Sequence, residues 1–449
     1  MAAAELRGVG IGWRRELAHD LLRRRDAVDF VEVVAETCFV RDRLYAEVRA
    51  AAESWPVVLH GVKLSLGSAD GIDVEHARRL GRLARELGSP WLTEHVSFTR
   101  AGARDIGHLT QLPRRREAVR VVARNVDALR RAVGDLPVAL ENVAWTARWP
   151  DDEMDEATFY QEVVAATGCP LLLDLGNLRA NALNEGRDPE AVLDAFPLER
   201  VAMVHIAGGA WLDAGGRRFF VDSHAHPVLP EVFALLERLV AARGAVPVIL
   251  ERDANFPPFD ELLGELTRAR SSLRGAPSRP LPRPGDAPAP PGALGGELVA
   301  EQARLAELLT APAPPESAAP FDAGELGFAR DVLRRKRIDD ALPLLPRLSA
   351  HAVGHRGAAW SAIDAHPRSP RHVALNDAWH IAQAALDEPG LESAAALDAL
   401  VLSARSVSRA GVMSPRRGPW VGRRALRDGR KAWAFKGVGA SSPVRLIVR

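Results

Sequence analysis

What most restricts the fold of this chain is an alternation. Short apolar, β-branched runs recur between longer stretches of helical periodicity from Gly8 to Glu251. The runs are Gly8–Gly12 (GVGIG), Asp29–Ala35 (DFVEVVA), Pro56–His60 (PVVLH), Trp91–His95 (WLTEH), Val138–Asn142 (VALEN), Leu171–Asp174 (LLLD), Val201–His205 (VAMVH) and Val248–Glu251 (VILE). Helical stretches between them include Glu75–Leu87, Arg115–Val133 and Pro230–Ala242. Strands that alternate with helices predict a parallel sheet, and runs with little internal alternation predict strands buried on both faces. Eight such units within residues 1–273 match an α/β fold of the (β/α)8, or TIM, barrel type. The competing architecture is an open doubly wound sheet. A dinucleotide site is weakly supported, because Gly8-Val9-Gly10-Ile11-Gly12-Trp13 lacks the third glycine at the required offset.

The chain has 449 residues, enough for two or three domains. A break falls at Arg274–Gly296, where seven prolines lie between Pro277 and Pro291, and a shorter one at Ala311–Pro320. Proline removes backbone donors and favours extended conformers, so residues 274–320 read as a semi-rigid linker between a domain at 1–273 and one at 321–449. In the latter, Phe328–Leu348 (broken by Pro343 and Pro346), His372–Leu386 and Leu391–Ser406 have helical periodicity. Asp428-Gly429 sits between apolar runs as a hairpin turn. The expectation is a small, mainly helical domain ending in a β-hairpin or short sheet. Its last segment, Pro415–Arg449, carries ten basic residues and one acid.

Net charge +1 argues against a nucleic-acid partner. The two cysteines, Cys38 and Cys169, cannot build a disulfide framework or a thiolate-rich metal site and fit a reducing cytoplasm. The opening residues have no signal-peptide apolar stretch, and no apolar run is long enough to span a membrane.

Nearly every apolar run ends on a polar residue: His60, Glu94 and His95, Glu141 and Asn142, Asp174 with Asn177 three residues on, His205, and Glu251. Asp222, His224 and His226 follow in the loop VDSHAHPV, where alternation by two points them the same way. A parallel barrel brings all its strand ends to one face. Taken singly, such a histidine is a satisfied polar group and such an aspartate a helix cap. Together, clustered carboxylates repel and take up protons unless a cation neutralises them. Imidazole and carboxylate without thiolate suit Fe, Mn or Zn, and so many ligands imply two or three ions. His108, in GARDIGHLTQLP, is a further candidate for contact with substrate. His19 and His76 lie on predicted helices as surface residues.

HGVKLSLGS (His60–Ser68), TEHVSF (Thr93–Phe98), LENVAW (Leu140–Trp145), LLLDLGNLRANALNEGRDP (Leu171–Pro189), VHIAGG (Val204–Gly209), DSHAHPV (Asp222–Val228) and LERD (Leu250–Asp253) together resemble the multinuclear non-haem iron-dependent oxidative enzymes, a family that includes the methanobactin-biosynthesis oxidase. The resemblance covers Leu6 to Arg270. It implies a TIM barrel with two or three irons, mixed Fe(II)/Fe(III), that uses dioxygen to oxidise ribosomally synthesised peptides, commonly at cysteine. Carried over position by position, the implied ligands are His60, His95, Glu141, Asp174, Asn177, His205, Asp222, His224 and Glu251. Glu94, His108, Asn142 and His226 are implied as supporting or substrate-contacting residues. Members usually carry Asn or His where this chain has Gly176, which puts one contact in doubt. Members often work with a separate protein that recruits the peptide, and the fused C-terminal domain looks like such a partner, its basic end suited to an acidic leader. The alternatives are a Zn-dependent phosphoesterase or a divalent-metal sugar isomerase on the endonuclease-like or xylose-isomerase-like barrel. Metal content and oxygen uptake separate them.

Overall fold

A computed structural model describes the chain apart from residues 1–5, 215–216, 283–295, 312–316, 352–354, 370–371, 410–411 and 440–441. The described residues fall into two compact units, one built from residues up to 303 with 320–325 and without 104–106, the other from 104–106, 304–319 and 326–449.

The first unit is a closed barrel of eight parallel strands: β1 Val9–Gly12, β2 Phe30–Val34, β3 Val57–Gly61, β4 Leu92–His95, β5 Val138–Glu141, β6 Leu171–Asp174, β7 Val201–Ile206 and β8 Val248–Leu250. Each strand pairs with its sequence neighbours, and β8 closes on β1 with Ile11 opposite Leu250. The expected strands and helices are found within a residue or two of their sequence positions. Aspartates supply many helix starts: Asp42, Asp73, Asp155 and Asp188 each accept backbone N–H bonds as N-caps.

The barrel interior is layered by the period-two pleat. Phe30, Val58, Ala139, Leu172, Met203 and Ile249, one from each of six strands, form a fully buried apolar floor. A Cβ on Gly10 would lie 2.5 Å from the Phe30 ring, so a larger residue there would evict the plug. Two residues further along the same six strands stand Glu32, His60, Glu141, Asp174, His205 and Glu251, all buried. The floor keeps water out from below, and the polar layer rests directly on it.

The segment read as a linker is more structured than its prolines suggested. Pro277 O accepts from Ala245 N at 3.0 Å, and Pro282 O accepts from Arg200 Nη1 at 2.9 Å. Residues 297–310 form a helix whose Leu298, Leu305, Leu308 and Leu309 are buried, an amphipathic pattern masked by the prolines on either side. Prolines beyond Pro282, up to Pro291, lie outside the described residues.

The second unit is mainly helical, with Val373–Ala384 and Glu392–Arg405 at its centre. The helix begun at Ala323 stops at Ala341, just before Pro343, and Pro346 starts a separate short turn. The end of the chain is a short three-stranded antiparallel sheet: β9 Trp420–Ala425, β10 Lys431–Lys436 and β11 Val444–Val448. Gly429, at φ +83°, turns β9 into β10. Among the described residues no helix is long and apolar enough to cross a membrane.

Candidate metal centre

Because His60, Glu141, Asp174, His205 and Glu251 each lie two residues beyond a floor residue, strand register carries these imidazoles and carboxylates to one depth. Three groups result: His60, His95 and Glu141; Glu141, Asp174, His205 and Glu251; and Asp174, Asp222 and His224. Glu141 and Asp174 are each shared between two groups, so the three are contiguous.

In the first group, His95 Nδ1 donates to the carbonyl of Gly61 at 3.1 Å, and His60 Nδ1 bonds the Thr93 hydroxyl at 2.7 Å. A carbonyl only accepts, so the proton of neutral His95 is on Nδ1 and its Nε2 carries a lone pair. That Nε2 faces Glu141 Oε2 at 3.2 Å, and His60 Nε2 faces the same oxygen at 3.5 Å. Glu141 Oε2 is buried with no hydrogen-bond partner. Burial pushes His95 down to about 4, outweighing the pull of Glu141, so the ring is neutral at pH 7. An acceptor thus confronts an acceptor, an arrangement that a cation between them resolves.

In the second group, His205 Nδ1 lies 3.1 Å from Glu141 Oε1, 3.2 Å from Glu251 Oε2 and 3.9 Å from Asp174 Oδ2. Burial disfavours charge on all of them. The imidazoles nevertheless hold Glu141 at about 2, and burial beside Asp222 and Glu141 drives Asp174 well above the carboxylate range. Asp174 has two tasks: Oδ1 caps the helix Leu175–Asn184 by accepting from Asn177 N at 2.7 Å, while buried Oδ2 has no partner.

The third group rests on a hairpin that follows β7, Gly208–Ala214 paired with Arg217–His226. The segment read as a loop is therefore strand, with an irregularity where Gly208 opposes His226 and Gly209 opposes Asp222. His224 sits there in the left-handed region at φ +50°, so the simple alternation breaks, yet its Nε2 still meets Asp222 Oδ2. Asp222 Oδ1 is buried and unpartnered, and a Cβ on Gly176 would lie 2.6 Å from it. The missing side chain at Gly176 is thus the room that Asp222 occupies.

The remaining candidates take other places. Glu94 is buried behind the strand ends, where Oε1 accepts from Leu64 N at 3.0 Å. Asn142 and Asn177 join strand ends by hydrogen bonds, Asn177 Nδ2 donating to Asn142 O at 3.0 Å. His108 lies on the strand Arg104–Gln111, outside the three groups. His226 is exposed and bonds Ser223 Oγ at 2.7 Å, so it does not join Asp222 and His224. His76 is not a free surface residue: its Nε2 bonds buried Glu36 at 3.0 Å.

Sequence reasoning missed Glu32, whose Oε2 lies 3.1 Å from His205 Nε2 on the side away from the carboxylate cluster. The signal was available: one acid inside the apolar run FVEVV, two residues past Phe30, is in register with the ligand layer.

The donor set of three unpartnered buried carboxylate oxygens and converging imidazoles fits bound divalent cations. Cys38 and Cys169 are buried and belong to none of the groups.

Residues 8–274 match the family described as RiPP precursor modification enzyme MbnB/TglH/ChrH. A UPF0276 protein of Streptomyces avermitilis is 36% identical over 433 residues, covering 83% of this chain and 87% of its own length, so the similarity extends past the family region. A UPF0276 protein of Caulobacter vibrioides is 38% identical over 266 residues, 59% of this chain and 93% of its own. Among solved structures, endonuclease IV from Thermus thermophilus aligns over 59% of this chain and 98% of its own, at 22% identity and TM-score 0.38. A xylose isomerase domain protein from Planctomyces limnophilus aligns over 60% of this chain and 98% of its own, at 17% identity and TM-score 0.41.

Proposed function

The chain belongs to the MbnB/TglH/ChrH family of enzymes that modify ribosomally synthesised peptide precursors, and from that premise we propose that its barrel is a multinuclear iron oxidoreductase that uses dioxygen to oxidise the peptide at cysteine side chains. The observation that carries the metal part is Glu141 Oε2, buried, unpartnered and faced by the Nε2 atoms of two imidazoles. His60, His95 and Glu141 would hold one ion, Glu141, Asp174, His205 and Glu251 a second, and Asp174, Asp222 and His224 a third. Asn177, its amide nitrogen committed to Asn142 O, would add its oxygen. Two or three irons, mixed Fe(II)/Fe(III), satisfy this set. Bound iron supplies electrons for dioxygen and keeps a substrate thiol deprotonated at neutral pH.

The chain's own groups prepare that chemistry. Gly61 O and the Thr93 hydroxyl fix the ring planes of His95 and His60. Glu32 holds His205 from behind at Nε2, leaving Nδ1 directed at the carboxylates. The apolar floor excludes water beneath the centre.

Recruitment of the peptide by the C-terminal unit belongs to the same reading. One face of its terminal sheet packs on the helix Glu392–Arg405. The other exposes Val421, Phe435 and Ile447 beside Arg423, Lys431 and Arg445, which suits an acidic, partly apolar leader. The setting we propose is the reducing cytoplasm, where both cysteines stay thiols.

The test is metal analysis and oxygen uptake with a synthetic cysteine-containing peptide whose sequence is taken from any small open reading frame found beside the gene. Iron in the protein, oxygen consumption and a mass change confined to the peptide are expected, and His224→Ala should abolish all turnover. Zinc in place of iron without oxygen uptake, or full activity in metal-free protein, would end this reading.

A further inference from the structure

His224 differs from the other histidines of the centre in having no barrel strand beneath it. It lies at the irregular base of a hairpin, in a left-handed conformation that a non-glycine residue adopts at a cost. Something else must hold it in place. Its Nε2 is turned to Asp222, while its Nδ1 lies 3.6 Å from Asp253 Oδ2 and 3.5 Å from Glu251 Oε2. The backbone is pinned from the same side: Asp253 N donates to His224 O at 2.7 Å, and Asn255 Nδ2 donates to Ala225 O at 3.4 Å.

Asp253 is itself clamped. Arg14 reaches its Oδ1 with two guanidinium nitrogens, Nε at 3.0 Å and Nη2, while Nη1 donates to Trp13 O at 2.9 Å. Trp13 N in turn donates to Glu32 O at 2.6 Å. The register explains the meeting. Ile11 of β1 opposes Leu250 of β8, and Arg14 and Asp253 each lie three residues beyond. The clamp therefore spans the seam where the first and last strands close the barrel. Its fork geometry is one that lysine cannot reproduce.

We propose that Arg14 and Asp253 are positioning residues that orient His224 from behind its Nδ1, so that occupancy of the Asp174, Asp222 and His224 metal position depends on the barrel seam. The inference rests on the metal reading given above. Orienting partners of this kind typically change metal affinity by about 10–100-fold when removed.

The full chain is loaded with ferrous ion under anaerobic conditions and desalted. Iron per chain, the iron-57 Mössbauer spectrum and the rate of iron release to a chelator are then measured for wild type, Asp253→Asn, Arg14→Gln, Arg14→Lys, His224→Ala and the exposed neighbour Arg15→Gln. Asp253→Asn and Arg14→Gln should retain about one iron fewer per chain, or release one about 10–100-fold faster, with an altered spectrum. Arg14→Lys should fall on the same side, and Arg15→Gln should match wild type. Wild-type stoichiometry and release in Asp253→Asn and Arg14→Gln, while His224→Ala loses iron, would overturn the proposal and leave the metal reading standing. Wild type that takes up no iron at all would instead remove the metal reading, and the proposal with it. If Asp253→Asn does not fold, Arg14→Lys decides: faster release supports the clamp, unchanged release overturns it.

Discussion

Asn142 and Asp174 exchange two hydrogen bonds at the ends of neighbouring strands: Asn142 Nδ2 donates to Asp174 O at 3.0 Å, and Asp174 N donates to Asn142 Oδ1 at 2.7 Å. The side-chain amide acts as one further rung of the β5–β6 ladder, beyond the point where the backbones have begun to separate. Asp174 is thereby locked as a cluster member. Asn142→Ala would leave the buried Asp174 N–H unpaired, costing about 1–3 kcal/mol, while Asp174 O keeps the first bond of the helix it caps. The variant should lose roughly 1–3 kcal/mol of stability in chemical denaturation, together with metal affinity. A loss below about 1 kcal/mol would show that water replaces the amide.

Gly176→Ala sets two effects against each other. Alanine favours a helix over glycine by about 1 kcal/mol. Against this, the new Cβ would lie 2.6 Å from Asp222 Oδ1, closer than real contacts allow, and 3.1 Å from Asp174 Oδ1, a tight contact. Asp222 must move, so metal affinity should fall by about tenfold or more in metal titrations. A variant more stable than wild type with unchanged metal binding would show that the hairpin yields freely.

Glu156 is fully buried, and burial raises its carboxyl to about 7 against the opposing pull of Arg114 and the Asn181 amide. The folded protein then binds a proton that the unfolded chain releases near the ordinary value of 4.5. More protons on the folded side mean that stability falls as pH rises from about 4.5 to about 7 and stays lower above. Glu156→Gln keeps the bond from Asn181 Nδ2 without the charge. Its stability relative to wild type should therefore increase by roughly 2–3 kcal/mol between pH 5 and pH 8, as read from urea unfolding. A difference independent of pH would show that Glu156 is ionised throughout.

In the C-terminal unit, Asp398 is wholly buried and accepts from Arg347 N at 3.0 Å, Leu348 N at 2.9 Å and Arg347 Nη1 at 2.8 Å. It caps the short turn begun by Pro346 from a helix about fifty positions on. Asp398→Ala should destabilise this unit by about 2–4 kcal/mol, since Arg347 is half-exposed and regains some water. Limited proteolysis should cut the C-terminal part first, with the metal binding of the barrel unchanged. Equal susceptibility of both parts would contradict this.

Much of the centre was legible before any coordinates. His60, Glu141, Asp174, His205 and Glu251 terminate apolar runs, and termination of a buried parallel strand is a local property that composition records. Glu32 escaped because it sits within its run, and only register with Phe30 and His205 gives it a role. His226 was misplaced because regular alternation was assumed across residues 222–226, where the hairpin is irregular. His76 was assigned to solvent because its partner, Glu36, lies 40 residues away. The helix inside the proline-rich segment was hidden by its neighbours' composition.

By itself the amino-acid order settled the barrel and the imidazoles and carboxylates at its strand ends, because alternation of burial along a strand is written in adjacent residues. Which oxygens and nitrogens face one another was decided only on closure. Interstrand register, the left-handed turn at His224 and the seam joining Arg14 to Asp253 depend on distances between segments far apart in the chain, and no local pattern encodes these.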